Sequence, residues 1–216
     1  MKLEQIQIQT NNIQETTAFY QDILGLSIIE KNSKWVTIQA GNSILKFIEN
    51  STFDSIYHFA FNIPENKLEE AIKWCKNKVG LIAIEDQNVI ANFEAWNANA
   101  IYFYDNNGNL LEFISRYDLE NASTENFSSK SILNISEIGI VTENPLELGK
   151  RLIEKHALEF FSKNNNSEAF SALGDDEGLL IIVKPNRNWY PTQTPSQSNP
   201  TEIRIQNNEN IFELIF

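Results

Sequence analysis

The chain has 216 residues, 42% of them hydrophobic, and a formal net charge of −12, which suits one large or two small globular domains. Uniform acidity argues against nucleic acid or an anionic membrane as partner, because phosphates would be repelled, and no apolar run reaches membrane-spanning length. The lone Cys75 excludes an internal disulfide and the N-terminus carries no signal-peptide apolar segment, so a cytoplasmic protein is expected.

A strand pattern recurs along the chain. Gln5-Ile6-Gln7-Ile8 has a polar leader and apolar residues at alternate positions, so Ile6 and Ile8 would face a core and Gln5 the opposite side. Asn12 with Glu15 reads as the N-terminus of a helix that ends at Gly25. Gly41-Asn42 then marks a turn into the closing strand Ile44 to Ile48. The pattern returns at His58-Phe59-Ala60-Phe61, followed by Leu68, Ala71, Ile72, Cys75 and Val79 at helical spacing. Gly108-Asn109 precedes the closing strand Leu110 to Ile114. Cys75, on the apolar face of its helix, reads as a small buried hydrophobe.

A Ser/Asn/Thr-rich stretch, Asn121 to Lys130, reads as a linker. Glu137-Ile138-Gly139-Ile140 restarts the pattern, Asn144-Pro145 opens a third helix, and Leu180 to Val183 closes the unit. Tyr190 to Pro200 reads as a second linker. Glu202-Ile203-Arg204-Ile205 leads a final strand pair, Thr201 to Gln206 and Ile211 to Phe216, around an Asn207 to Asn210 turn. The expected organisation is a paired βαβββ domain over 1–120, then a third unit and a two-strand remnant over 131–216. The expected fold is α+β, with curved mixed sheets of repeated βαβββ units around a pocket.

A pocket would use the polar faces of the first and last strands of each unit: Gln5 and Lys46 in the first, His58 and Glu112 in the second. Imidazole and carboxylate suit a divalent metal such as Zn, Ni, Mn or Fe. The plainer alternatives are that His58 bonds a backbone carbonyl, that Gln5 belongs to a wet strand face with Gln7 and Gln9, and that Lys46 pairs with Glu112 in a metal-free pocket. Arg116 shares strand parity with Glu112 and is a candidate to hold an anionic substrate, against the commoner surface role. Phe93, Trp96, Tyr102 and Tyr104 could wall an apolar pocket, though aromatics more often fill a core or a subunit interface. In the second half Glu137, Glu202 and Glu213 take the corresponding positions, with Ile182 where a fourth ligand would stand. Three carboxylates without a histidine could hold a hard cation such as Mg or Ca, but that half is read first as closing the sheet or covering an edge strand.

Three strings resemble a known family. They are Gln5 to Ile8 leading into Ala18-Phe19-Tyr20-Gln21-Asp22-Ile23-Leu24-Gly25-Leu26, His58-Phe59-Ala60-Phe61-Asn62-Ile63-Pro64, and Tyr102-Phe103-Tyr104-Asp105-Asn106-Asn107-Gly108-Asn109-Leu110-Leu111-Glu112-Phe113. Together they are similar to the vicinal oxygen chelate superfamily: glyoxalase I, the fosfomycin and bleomycin resistance proteins, and extradiol ring-cleaving dioxygenases. The resemblance implies a small-molecule enzyme whose divalent metal chelates adjacent substrate oxygens, with His58, Glu112 and Gln5 as ligands and Glu112 also catalytic. Lys46 stands where lyase-type members carry a glutamate, and Gln5 where ring-cleaving members carry a histidine. Lys46, Trp96, Tyr104 and Arg116 would then contact substrate. The alternative is a metal-free protein that sequesters a small molecule, as the bleomycin-resistance members do. The one protein partner considered is a second copy of the chain, as a homodimer.

Overall fold

The computed structural model describes Met1–Phe216 in full. The first unit comprises β1 (Lys2–Thr10), α1 (Ile13–Ala18) running into a π-helical turn (Phe19–Ile23), β2 (Ser27–Lys31), β3 (Trp35–Ala40) and β4 (Ser43–Glu49). The second comprises β5 (His58–Ile63), α2 (Leu68–Cys75), β6 (Ala91–Phe93), β7 (Ala98–Tyr104) and β8 (Leu110–Arg116). The third is one strand short, with β9 (Asn134–Val141), α3 (Pro145–His156), β10 (Phe170–Asp175) and β11 (Gly178–Val183). Its missing strand falls in Ala157 to Ala169, where Lys163-Asn164-Asn165-Asn166-Ser167 offers no alternation of apolar side chains. β12 (Glu202–Asn207) and β13 (Asn210–Ile215) form a terminal hairpin. The fold is α+β, and no helix is long and apolar enough to cross a membrane.

The strands join in one mixed sheet with the path β2-β3-β4-β1-β9-β5-β8-β7-β6; β10-β11 branches from β9 and β12-β13 from β1. The sheet is therefore continuous across the expected domain boundary at 121–130. Its pairing also corrects the expected order of units. β5 lies between β8, parallel to it, and β9, antiparallel to it. β1 lies between β4, parallel, and β12, antiparallel. Unit two thus partners unit three, and unit one partners the terminal hairpin. Within the sheet, one β1 to β9 pair, Leu3 with Ile135, joins the two halves.

Strand alternation sorts the side chains into two apolar layers. Phe59, Phe61, Leu111, Phe113, Ile138 and Leu180 pack in the main core with Ala71 and Cys75 of α2. The opposite face of the same strands builds a second, smaller core from Ala60, Tyr102, Leu110, Ile114, Ile181 and Trp189. Burying strands on both faces is what near-continuous apolar runs such as Leu179 to Val183 are suited to.

One buried carboxylate ties unit one to unit two. Asp105, at the turn before β8, accepts hydrogen bonds from the backbone N–H groups of Asn107 (2.8 Å) and Asn109 (2.9 Å). Its other oxygen takes the Tyr20 hydroxyl and the Asn109 amide, both at 2.8 Å. Gly108 supplies the left-handed residue of the turn at φ +77°. Asn109 in turn accepts from the Tyr57 N–H at 2.8 Å, which fixes the entry to β5 against the entry to β8. Burial pushes the Asp105 carboxyl up, with Asn109 and then Tyr20 pulling the other way. Asp105→Ala strands four donors, so a loss of roughly 2–4 kcal/mol is expected in denaturant unfolding, whereas Asp22→Ala on the exposed side of the same π-helical turn changes stability by less than about 0.5 kcal/mol.

Candidate metal centre

β5 carries the site because both its neighbours are in register at one residue. Ala60 pairs with Glu112 on β8 and with Glu137 on β9. Cross-strand partners share a face, so both carboxylates flank the small Ala60 side chain, and His58, two residues back on β5, joins them. A bulge on β9 makes this possible: Phe61 pairs with Ile135 while Ala60 pairs with Glu137, leaving Ser136 as the extra residue. It inverts strand parity, so Ile135 and Ile138 both reach the core while Glu137 turns to the opposite face.

The ligand-capable atoms of His58, Glu112 and Glu137 all lie within 4.8 Å of one another, and all three residues are buried. His58 Nδ1 is 3.1 Å from the Leu110 carbonyl oxygen. A carbonyl only accepts, so Nδ1 carries the proton and Nε2 presents a lone pair. Nε2 is 3.8 Å from Glu112 Oε2. Burial lowers the His58 pKa to about 4, opposed by the Leu110 carbonyl and aided by the charge of Arg187, so the imidazole is neutral at pH 7. Burial, then the Glu137 charge, raises the Glu112 pKa well above the usual carboxylate range, while Tyr102 and Arg116 pull it down. Burial also raises Glu137, against the pull of Arg116. Glu112 Oε1 is buried without a hydrogen-bond partner. Three lone-pair donors converge here with one oxygen unanswered, and the donor set fits a divalent cation.

Arg116 is completely buried and donates to Glu137 Oε1, to Ser136 Oγ at 3.3 Å and to Asp176 at 3.5 Å. Lys163 bridges Asp176 and Asp118, both at 2.6 Å. The Arg116 guanidinium also lies over the Trp96 ring, 5.6 Å from its centroid. Each of its three nitrogens makes one of these bonds, and Arg116 is not among the residues lining the cavity onto which the cluster opens. Its place in the structure is therefore behind Glu137, whereas the sequence suggests contact with substrate.

The cluster opens into a cavity of about 300 Å³ whose aromatic lining includes Phe93, Trp96, Tyr102, Phe170, Trp189 and Tyr190, with Arg187 and Asn164 as further polar groups. Trp189 packs over His58 with ring centroids 5.0 Å apart. Its approach needs a glycine on β9: a Cβ on Gly139 would lie 2.5 Å from the Trp189 ring.

Of the site residues expected from the sequence, the structure brings His58, Glu112 and Trp96 to this cavity. Gln5 does not join them. It sits on β1 between Ile44 and Arg204 in the other half of the sheet. Lys46 pairs with Gln7 and Thr37, and its ammonium lies over the Trp35 ring, 5.6 Å from the centroid. Tyr104 is outside the cavity lining and 40% exposed. Glu137 completes the cluster in the place expected for Gln5. Its signal was its position at the head of the third strand pattern; it was missed because unit one, rather than unit three, was paired with unit two. Ile182 points into the main core, and the β11 residue lining the cavity is Ile181. Arg187, Trp189 and Tyr190 come from the segment that follows β11 and from the start of the second linker, where composition gives no sign of a packing role.

Two outcomes are expected. Gly139→Ala forces Trp189 off its seat, costing about 1–3 kcal/mol and red-shifting tryptophan emission as the indole becomes wet. For the metal-free protein, the unfolded chain takes up the His58 proton near pH 6.5 and the folded chain only near 4. Stability carried by neutral His58 is thus present above pH 6.5 and lost on acidification towards 4, on the order of 3 kcal/mol. His58→Gln removes that part of the acid limb in chemical-denaturation curves measured between those pH values.

Comparison with known proteins accords with this architecture. The family model for the Glyoxalase/Bleomycin resistance protein/Dioxygenase superfamily matches residues 2–113. The metallothiol transferase FosB of Staphylococcus haemolyticus is 27% identical over 117 residues, 51% of this chain and 80% of that protein. Among solved structures, a candidate dioxygenase from Bacillus subtilis superposes with a TM-score of 0.61 at 13% identity, covering 100% of this chain and 84% of that one. A V278E mutant of glyoxalase I from Zea mays gives 0.59 at 13% identity, covering 92% and 71%. At such identities the two structures speak for the fold alone. With more than half its length matched by the family model, the chain belongs to the Glyoxalase/Bleomycin resistance protein/Dioxygenase superfamily.

Proposed function

We propose that this protein is an enzyme acting on a small molecule at a divalent metal held by His58, Glu112 and Glu137. The observation that carries the reading is the convergence of three buried ligand atoms within 4.8 Å of one another, one of them an Nε2 whose lone pair is set by the Leu110 carbonyl. Three protein ligands leave coordination positions open for a substrate, the pattern of catalytic rather than structural metal sites. One imidazole and two carboxylates suit Zn, Mn, Fe or Ni. Bound there, the metal would act as a Lewis acid towards substrate oxygens.

The chain's own groups do the rest. Leu110 orients the imidazole, and Arg116 holds Glu137 in place and offsets its charge. The aromatic walls keep the site dry, which strengthens every charge interaction inside it. Glu112 has an unpartnered oxygen, Oε1, which would be available to accept and return a substrate proton as general base and acid.

A second reading has its own support. Arg116 already answers Glu137, and a proton on Glu112 would neutralise what remains. In that state the cavity is a metal-free binding site for a small molecule.

Elemental analysis of the purified protein, incubated with Zn, Mn, Fe and Ni in turn, separates the two. One metal per chain is expected. Glu137→Gln and His58→Ala should each weaken binding by more than the roughly 10–100-fold that an outer-sphere change costs, and Gln5→Ala should leave it unchanged. Uptake should release protons and weaken as pH falls, since Glu112 must shed its proton first. No retained metal in the parent after all four incubations overturns the enzyme reading in favour of the second.

A further inference from the structure

Arg187 is the cation of the cavity that no acid answers. Arg116 is engaged by Glu137 and Asp176, and Lys163 by Asp118 and Asp176. The Arg187 guanidinium makes one long hydrogen bond, 3.4 Å to the carbonyl of Asn188, and no ion pair. It nonetheless lines the same cavity as His58, Glu112 and Glu137. It is held over the Phe170 ring, itself part of the wall, with 4.8 Å to the centroid. Such stacking fixes the plane of the guanidinium while leaving its edge free for a planar, two-oxygen acceptor. Partial burial lowers the Arg187 pKa from its usual value, and its charge is felt at His58. Arg187 is itself exposed, so its guanidinium stands at the mouth of the cavity, within reach of solvent and of any ligand that enters.

With a divalent cation bound, the metal matches Glu112 and Glu137, Arg116 and Lys163 match Asp118 and Asp176, and the Arg187 charge is left over. With a proton on Glu112 instead, Glu137, Asp118 and Asp176 balance Arg116, Lys163 and Arg187 in sum. Yet the three carboxylates are engaged by Arg116 and Lys163, and Arg187 still has no ion-pair partner of its own. About 300 Å³ is the lower end of the range for small-molecule pockets, with room for a single-ring compound.

We infer that Arg187 is the specificity-determining anchor of this cavity and that the ligands it selects are small aromatic carboxylates, the ring lying among Phe93, Trp96, Tyr102 and Tyr190 and the carboxylate on the guanidinium. This rests on the proposed reading of the cavity as a small-molecule site, and it holds for both the metal-bound and the metal-free forms of that reading.

The test compares benzoate and 3-phenylpropionate with their neutral amides, benzamide and 3-phenylpropionamide. Binding is followed by tryptophan fluorescence and calorimetry in the protein as purified and after chelation. Each acid should bind at least about tenfold more tightly than its amide, the worth of one charge-assisted pair. R187Q should abolish the preference while leaving amide binding and metal content unchanged, and R187K should restore part of it, as a point charge without the fork. Equal binding of acid and amide, or no binding of either acid, overturns the inference. A preference that survives in R187Q but disappears on chelation also overturns it, since the carboxylate is then on the metal, and leaves the metal reading standing. A preference lost in R187Q in a protein that takes up no metal keeps the Arg187 assignment and removes the metal reading.

Discussion

The structure turns on a register. β5 is the one strand whose two neighbours both present a carboxylate opposite the same residue, Ala60. Because side chains alternate strictly along a strand, a slip of one residue at β8 or β9 would send Glu112 or Glu137 into the main core and an apolar residue into the cavity. The register is correspondingly over-determined. On the β8 side, Asp105 and Asn109 bind the turn to the backbone at Tyr57, one residue before His58. On the β9 side, the bulge at Ser136 adjusts the phase of the strand. The polar cluster depends on both.

Burying three titratable groups together is costly, and the sheet offsets the cost unevenly. His58 discards its charge and satisfies Nδ1 on a carbonyl that β8 leaves available. Glu137 keeps its charge and is answered by Arg116, which passes the balance on through Asp176 to Lys163 and Asp118. Glu112 has no cation of its own at bonding distance, and its Oε1 has no partner at all. The unequal treatment of two carboxylates on either side of one alanine is the chemical content of the site: one is fixed as an anion, and the other is left open to a proton or a metal.

The cavity is closed by a segment outside the regular sheet. Residues after β11 lay Trp189 over His58 and bring Tyr190 and Arg187 to the wall, and the absence of a Cβ at Gly139 admits the indole. Trp189 is only 3% exposed, so this stretch is part of the enclosure, although its proline and serine content marks it as a connector. Asn121 to Lys130, the other polar connector, is packed as well, against the main core: Phe127 is buried there and its N–H is bonded to Glu70 of α2.

Much of this was legible in the sequence. Period-two patterns at Gln5, His58, Glu137 and Glu202 located the leading strands and the face each would bury, because alternation is a local property of the backbone. The turn residues at Gly41 and Gly108 and the strings around Tyr20 and Asp105 carried the family. His58 and Glu112 were placed as partners because they belong to one unit, whose first and last strands pair in parallel. What the sequence could not supply was which unit stands beside which. Strand pairing between units depends on long-range contacts, and identical alternation makes β1 and β9 equally acceptable neighbours for β5. Only the packed sheet selected β9, which moved Gln5 and Lys46 out of the site and brought Glu137 in. It was likewise only the closure of the chain around that sheet that turned a polar connector into the wall bearing Arg187, because a loop's contacts are set by the surface it crosses and not by its own periodicity.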